Sequence, residues 1–473
     1  MNARIRVDPV RSTGPVDPRI YSHFIEHVDG CVYGGLLDSK FRPRREVLDL
    51  IRALHPPVVR WPGGLFADEY HWEDGIGAPE RRPVRKSYWR RLGRNMGPPE
   101  PNQFGTDEFL GFCRDVGTEP YVNVNVGTGS PEEAGRWVEY AKGRKPRVKL
   151  WGIGNELYGW WATGHMGAGE YVRRFVEFSK TMRAVDPDAE LVAVGADPRH
   201  WPDWNRAVLE GAGREADHLA VHFYFPVDNS LWVLLGRPRR RSRAAFLSLN
   251  ASPLAAEERL RAAARTVEAS GARAKLALDE WNVLWSLWDH WRWDWTWQEG
   301  LWAAGMFHAL HRLGPAVSLG NYAQLVNLLG LIRASDSGVF TSPVYSAFQL
   351  YRDGFGEGVA AEVRGPTCNV SRLEGLPARK GVPLLDASAV REGGTLRLFV
   401  INRHPAAPVA AEVDLVAWEF GRVEARQVAP GAWAGNTAGE SDRVAVKAVE
   451  APGRSRFTFS FPAASATRFD FAP

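Results

Sequence analysis

Apolar runs and amphipathic stretches alternate along most of this chain. Nearly continuous apolar runs fall at residues 20–25, 58–61, 121–126, 148–153, 191–194, 218–224, 275–278 and 316–322. Continuous rather than alternating apolarity marks parallel strands covered on both faces. Between them the spacing predicts helices over 44–54, 106–116, 131–141, 169–185, 203–210, 255–269 and 298–313, with a last at 343–351. Two have clear start signals. Thr106 precedes Asp107 and Glu108, and Ser130-Pro131-Glu132-Glu133 offers an N-cap, Pro at the first helical position and acids in the first turn.

Strands and helices alternating in this way predict an α/β fold, a (β/α)8 TIM barrel. A doubly wound sheet alternates too, but the polar residues favour the barrel. Glu26, Arg60, Asn123 or Asn125, Glu156, His222, Glu280 and Gln324 all fall at or just past strand C-terminal ends. That is where a barrel builds its active site. Beyond about Gly354 the helical period stops. Short alternating strands at 395–401, 410–415, 443–449 and 456–461 predict a C-terminal antiparallel β-sandwich. The expected organisation is an N-terminal strand (1–15) joining that sandwich, a catalytic barrel (16–355) and the sandwich itself (356–473).

Composition narrows the function classes. The 473 residues suit a barrel plus one accessory domain, and 45% hydrophobic with 24% charged residues is ordinary for a globular chain. The net charge of +4 is small, and no Lys/Arg stripe recurs along a helix, so no nucleic-acid partner is expected. The basic run at 237–243 reads as a solvated loop or subunit contact. Cys31, Cys113 and Cys368 are too few and too scattered for a disulfide framework or a CxxC metal site. The opening residues lack an apolar signal region and no segment approaches ~18 apolar residues, so no membrane partner and a cytoplasmic location are expected. The histidines show no HExxH or paired spacing, so neither a metal nor another cofactor is expected. Gly152-Ile153-Gly154 lacks the third glycine of a dinucleotide fingerprint, since position 157 is Leu157. The 20 Trp residues, many of them crowded between Trp281 and Trp302, suit core packing and stacking on sugar faces equally well.

Two acidic motifs carry the chemistry. Trp151-Gly152-Ile153-Gly154-Asn155-Glu156 closes the fourth strand, and Ala277-Leu278-Asp279-Glu280-Trp281-Asn282 the seventh. A glycosidic bond needs two carboxyl groups flanking the anomeric carbon, one to protonate the leaving oxygen and one to attack. Strands four and seven of a barrel open into one mouth, where two carboxylates can stand ~5 Å apart, the spacing of a retaining enzyme. Glu156 is thus the candidate acid/base and Glu280 the candidate nucleophile. By strand alternation Asp279 should point away from Glu280 and be structural.

At these residues the chain resembles the glycoside hydrolase family 51 α-L-arabinofuranosidases. The likeness runs through Phe24-Ile25-Glu26-His27, Arg60-Trp61-Pro62-Gly63-Gly64, Phe66-Ala67-Asp68-Glu69-Tyr70-His71-Trp72, Asn102-Gln103-Phe104-Gly105, both Glu motifs, His222-Phe223-Tyr224 and Ala323-Gln324-Leu325-Val326-Asn327. It implies that Asn155 contacts the sugar 2-hydroxyl, and that Glu26 and Gln324 bind hydroxyls in the −1 pocket. It also implies that Tyr224 lies against the nucleophile with His222 as its neighbour, and that Arg60 orients the carboxylates. The implied activity is exo-cleavage of terminal α-L-arabinofuranosyl residues from arabino-oligosaccharides by double displacement, in a homo-oligomer, commonly a hexamer. For this mechanism Arg60 should keep Glu280 ionised, and Glu156 should have a raised pKa. Leu65 departs from the Cys or Asn usual after Gly64 and removes a polar sugar contact. A β-xylosidase, an endo-β-1,4-glucanase or another furanosidase with the same chemistry is the alternative. The Trp-rich stretch 283–297 is read as a loop over the cleft.

Overall fold

Eight parallel strands close into a barrel in this computed structural model, which describes residues 2–473 except 29, 87, 89–98, 227–239, 286–293 and 374. Strand β1 (Asn2–Val16) comes first and lies outside the barrel. The barrel strands are β2 (Ser22–Phe24), β3 (Val58–Trp61), β4 (Glu119–Val124), β5 (Leu150–Ile153), β6 (Glu190–Val194), β7 (His218–Pro226), β8 (Lys275–Leu284) and β9 (Val317–Ala323), paired in that order with β9 closing on β2. The helices around them are α1 (Arg45–Leu54), α2 (Thr106–Val116), α3 (Pro131–Lys142), α4 (Ala168–Val185), α5 (Trp204–Ala212), α6 (Arg243–Ser270), α7 (Trp297–Leu313) and α8 (Pro343–Tyr351).

The barrel interior changes character along its axis. Val58, Tyr121, Leu150, Val192, Ala220, Ala277 and Leu319 pack together as an apolar plug, one residue from each strand β3 to β9. Two residues further along those strands, on the same face by the period of two, stand Arg60, Asn123, Gly152, Val194, His222, Asp279 and Asn321. The strand sequences thus switch from a plug to a largely polar layer at the C-terminal mouth, where the site forms.

Local signals explain most helix ends. Ser130 caps α3 by accepting the Glu133 amide at 3.3 Å, with Pro131 at the first position. At α2 the cap is Gly105, not Thr106. Glu108 reaches back to the Gly105 N–H at 2.9 Å, and the Thr106 hydroxyl instead accepts the Trp137 indole N–H at 3.0 Å. Helix α6 starts twelve residues before the predicted 255, capped by Ser242, and runs through Pro253. A proline there frees the Leu249 carbonyl. The Ser252 hydroxyl donates to that carbonyl at 2.7 Å, which lets the helix continue. Arg243 therefore belongs to α6 rather than a loop, while 237–239 of the basic run lie outside the described residues.

After the hairpin β10 (Ile332–Ser335) and β11 (Gly338–Thr341), the chain builds β12 (Gly356–Arg364), β13 (Thr367–Val370), β14 (Arg379–Pro383), β15 (Leu385–Glu392), β16 (Thr395–Asn402), β17 (Val409–Leu415), β18 (Arg422–Val428), β19 (Lys447–Val449), β20 (Arg456–Phe461) and β21 (Ser465–Ala472). Nine strands form the sandwich sheet in the order β19-β18-β21-β16-β15-β12-β1-β17-β20. Every pairing is antiparallel except β1 with β17, which is parallel because the opening strand inserts between β12 and β17. The strand expected at 443–449 shrinks to 447–449.

Charge pairs pin the sandwich to the barrel. Asp386 of β15 accepts from Arg403 at 2.6 Å and from Arg312 of α7 at 2.9 Å, and the Arg403 Nε donates to the Asn250 carbonyl of α6 at 2.8 Å. Burial would raise the Asp386 carboxyl, but these two guanidinium groups and His308 hold it well below the usual range. Removing Asp386 strands the buried Arg403. Asp386→Ala should therefore cost ~3 kcal/mol of stability, read as a lower denaturation midpoint in urea.

Candidate active site

Arg60, buried at the end of β3, organises the mouth of the barrel. Its Nη1 donates to Glu280 Oε1 at 2.8 Å, its Nη2 donates to Asn155 Oδ1 at 2.7 Å, and its Nε stands 3.2 Å from Asp279 Oδ2. Burial opposes the charge on this guanidinium, yet Asp279, Tyr121 and Glu280 raise its pKa above the ordinary arginine value. Gly64, in the next loop, lets the backbone come close: a Cβ there would lie 2.7 Å from Glu280 Oε1.

Asp279 does not point away from the site. The register of β8 slips by one residue against β7 between Val221 and His222, so His222 pairs with Glu280 and Asp279 is the extra residue of a β-bulge. The bulge turns two consecutive acids inward. Asp279 accepts from Tyr121 at 3.0 Å and from Asn321 at 2.7 Å, while Glu280 also accepts from Tyr224 at 2.8 Å.

Glu156 enters from the loop after β5, with a left-handed φ of +46°. Its Oε1 lies 2.8 Å from His222 Nδ1, and its Oε2 accepts the Trp161 indole N–H at 2.7 Å. The same His222 nitrogen is 3.7 Å from Glu280 Oε2. One oxygen of each carboxyl and the imidazole nitrogen all fall within 4.8 Å of one another. A divalent ion could span such a trio, but Arg60 already sets a full positive charge against Glu280 and would repel a second cation.

Glu26 and Gln324 close the opposite side. Glu26 Oε1 accepts the Phe66 amide and Oε2 the Gln324 side-chain amide, both at 3.1 Å. Burial, and then the charge of Glu280, pushes the Glu26 carboxyl up to about 8. Among the described residues, the buried polar atoms at the mouth without a hydrogen-bond partner include Asn155 Nδ2 and Gln324 Oε1. A donor and an acceptor left so are matched to hydroxyl groups. All eight residues singled out from the sequence (Glu26, Arg60, Asn155, Glu156, His222, Tyr224, Glu280 and Gln324) therefore line one mouth. Leu65 is half-buried and packs against the barrel core.

Residues 50–230 match the model described as α-L-arabinofuranosidase 1 domain, and residues 279–465 match the α-L-arabinofuranosidase C-terminal domain. The chain is 31% identical to an intracellular exo-α-(1→5)-L-arabinofuranosidase of Bacillus subtilis, over 85% of each chain. It belongs to the α-L-arabinofuranosidases of glycoside hydrolase family 51. The family 51 enzyme of Thermotoga petrophila superposes with a TM-score of 0.86 at 32% identity, covering 99% of both chains. The arabinose complex of the Thermotoga maritima arabinofuranosidase gives 0.85 at 31% identity, again over 99% of both.

Within this family 51 chain the shift at Glu156 runs opposite to the raised pKa expected of it. Burial would raise the Glu156 carboxyl, but the hydrogen bond and charge of His222, with Trp161 and Arg60, hold it below its ordinary value. Burial would lower His222, but Glu280 and Glu156 raise it. Motif reading missed two participants. Trp161 follows Glu156 by five residues in the same loop, and Asp68 sits in the quoted Phe66–Trp72 motif without a role. In the Trp-rich stretch, Trp285, Trp295 and Trp297 are buried in the core, while 286–293 lie outside the described residues.

The linkage sign follows from these shifts. Glu156 lies below its ordinary 4.5, so its contribution is present above that pH and lost as pH falls through its folded value. His222 lies above 6.5, so its contribution is full below 6.5 and lost as pH rises through its folded value. His222→Gln should therefore cost ~3 kcal/mol in the window between the two and less at alkaline pH. Thermal melts over that range measure it, and a penalty independent of pH would contradict the pairing.

Proposed function

We propose that this chain is an exo-acting, retaining α-L-arabinofuranosidase that trims terminal arabinofuranosyl residues from arabino-oligosaccharides. One observation carries the retaining reading: an oxygen of Glu156 and an oxygen of Glu280 lie within 4.8 Å of each other. Carboxyl groups ~5–5.5 Å apart serve double displacement, whereas inversion needs ~6.5–9.5 Å to admit a water.

In the first step Glu280 attacks the anomeric carbon, held toward it by Arg60 and Tyr224. The bond to the leaving oxygen breaks, and the proton shared by His222 and Glu156 passes through Glu156 to that oxygen. The product is a glycosyl ester on Glu280. Loss of the Glu280 charge leaves Glu156 ionised as the base. It takes a proton from water as the water oxygen attacks the anomeric carbon, and Glu280 departs as carboxylate. Asn155 Nδ2, Glu26 and Gln324 are assigned to the sugar hydroxyls, on the evidence of their unpaired or exchangeable polar atoms. An intracellular location accompanies this reading, supported by the printed name of the Bacillus subtilis relative. The expected homo-oligomer stays part of the proposal and is checked by light scattering.

Aromatic side chains border Glu156 on the leaving-group side. Trp161 stands 5.8 Å from Trp160 and 5.9 Å from Trp201, centroid to centroid, and Tyr158 lies 4.4 Å from Trp201. Trp160 is 79% exposed. A flat exposed ring beside the acid suits a sugar in the leaving position. Trp160→Ala should raise KM for arabinotriose about tenfold. It should leave p-nitrophenyl α-L-arabinofuranoside little changed in steady-state kinetics.

The decisive test of the chemistry uses the aryl glycoside and NMR of the first-formed sugar. Wild type should release α-arabinose before mutarotation, and Glu280→Ala should lose at least ~10³-fold in turnover while melting normally. Release of β-arabinose would overturn the retaining assignment. Leu65 keeps a second sugar in play, and faster cleavage of an aryl β-xyloside than of the arabinoside would move the reading to a xylosidase.

A further inference from the structure

Asp68 has no part in the chemistry above, yet it is fully buried beside it. It sits in a short turn after β3. Its Oδ1 accepts the amides of Val126 at 3.1 Å and Gly127 at 3.2 Å, and its Oδ2 accepts the amide of Asn155 at 2.9 Å. Its own carbonyl accepts the Thr128 amide at 3.1 Å. One side chain therefore ties together the loops that follow β3, β4 and β5.

The contact is tight. A Cβ on Gly127 would lie 2.5 Å from both the Asp68 and the Thr163 carbonyl oxygens, so the three loops touch backbone to backbone. The third tie falls on the residue just before Glu156. Glu156 holds a left-handed φ of +46°, a conformation unfavourable for a non-glycine residue that persists only where the surroundings impose it. Glu280 is carried by β8 and held by Arg60 and Tyr224; among the described residues Asp68 hydrogen-bonds neither, and its link to Arg60 runs only through the Asn155 side chain.

We propose that Asp68 is a positioning residue for the acid/base: by anchoring the Asn155 amide it fixes where the Glu156 carboxyl stands over the bond that breaks. The inference rests on the reading of Glu156 as the acid/base. It predicts a separable defect. Loss of the tie should impair protonation of the leaving oxygen and spare attack by Glu280.

Asp68→Asn keeps the shape but turns an NH2 group toward one of the three amides. Its kcat/KM should fall about 100-fold for phenyl α-L-arabinofuranoside, a leaving group that needs the proton. For the 2,4-dinitrophenyl glycoside, which needs none, the fall should be about threefold or less. Azide, which needs no general base, should restore turnover of the dinitrophenyl substrate and yield arabinosyl azide. Equal losses on the two substrates, or none on either, would overturn the proposal. A crystal structure of the variant gives an independent readout: Glu156 should have left its contact with His222, and an unmoved Glu156 rejects the brace. If Asp68→Asn does not fold, Asp68→Ser, which keeps one acceptor, takes its place in both measurements. A wild type that cleaves neither glycoside would sink the arabinofuranosidase reading and leave the crystal structure to decide the role of Asp68.

Discussion

Arg60 is the charge on which the mouth of the barrel depends. It is sealed from water, and it touches Asp279, Glu280 and the side chain of Asn155 at once. A buried guanidinium or carboxylate alone would cost several kcal/mol in lost hydration. Together they satisfy one another, and the pairing sets two carboxylates, Asp279 and Glu280, against one guanidinium. In the proposed mechanism such surroundings would favour an oxocarbenium-like transition state. The same contact fixes Glu280 and Asn155 in relation to each other, although they come from opposite sides of the barrel.

The proton economy follows from that arrangement. Glu26 is pushed toward its neutral form by burial and by Glu280, so it can serve hydroxyls without adding another negative charge. The hydrogen bond and charge of His222 draw Glu156 the other way, below its ordinary value, while Glu156 and Glu280 raise the ring. Glu26 and Glu156, two acids within one small volume, thus shift in opposite directions. Each of these two shifts is set by burial and nearest neighbours rather than by residue type.

Backbone detail makes the convergence possible. The bulge at Asp279 gives β8 two inward acids where regular alternation allows one. The left-handed Glu156 turns its carboxyl back over the mouth. At the other end of the molecule, Asp386 and Arg403 lock α6 and α7 to the sandwich, which steadies the helices on that side of the barrel.

The sequence alone determined the barrel and the two acidic strand ends. Parallel strands covered on both faces must be apolar throughout, and a polar residue that ends such a run has only the mouth to face. Periodicity and caps are local, so α3 was legible at Ser130 and Pro131, while the start of α6 was hidden by Pro253. Register is not local. The slip that turns Glu280 inward beside Asp279, the insertion of β1 between β12 and β17, the reach of His222 to both carboxyls and the three amides gathered by Asp68 join segments far apart in the chain. Only the closed tertiary structure decides such contacts, because each depends on how neighbouring strands align and not on any pattern within one of them.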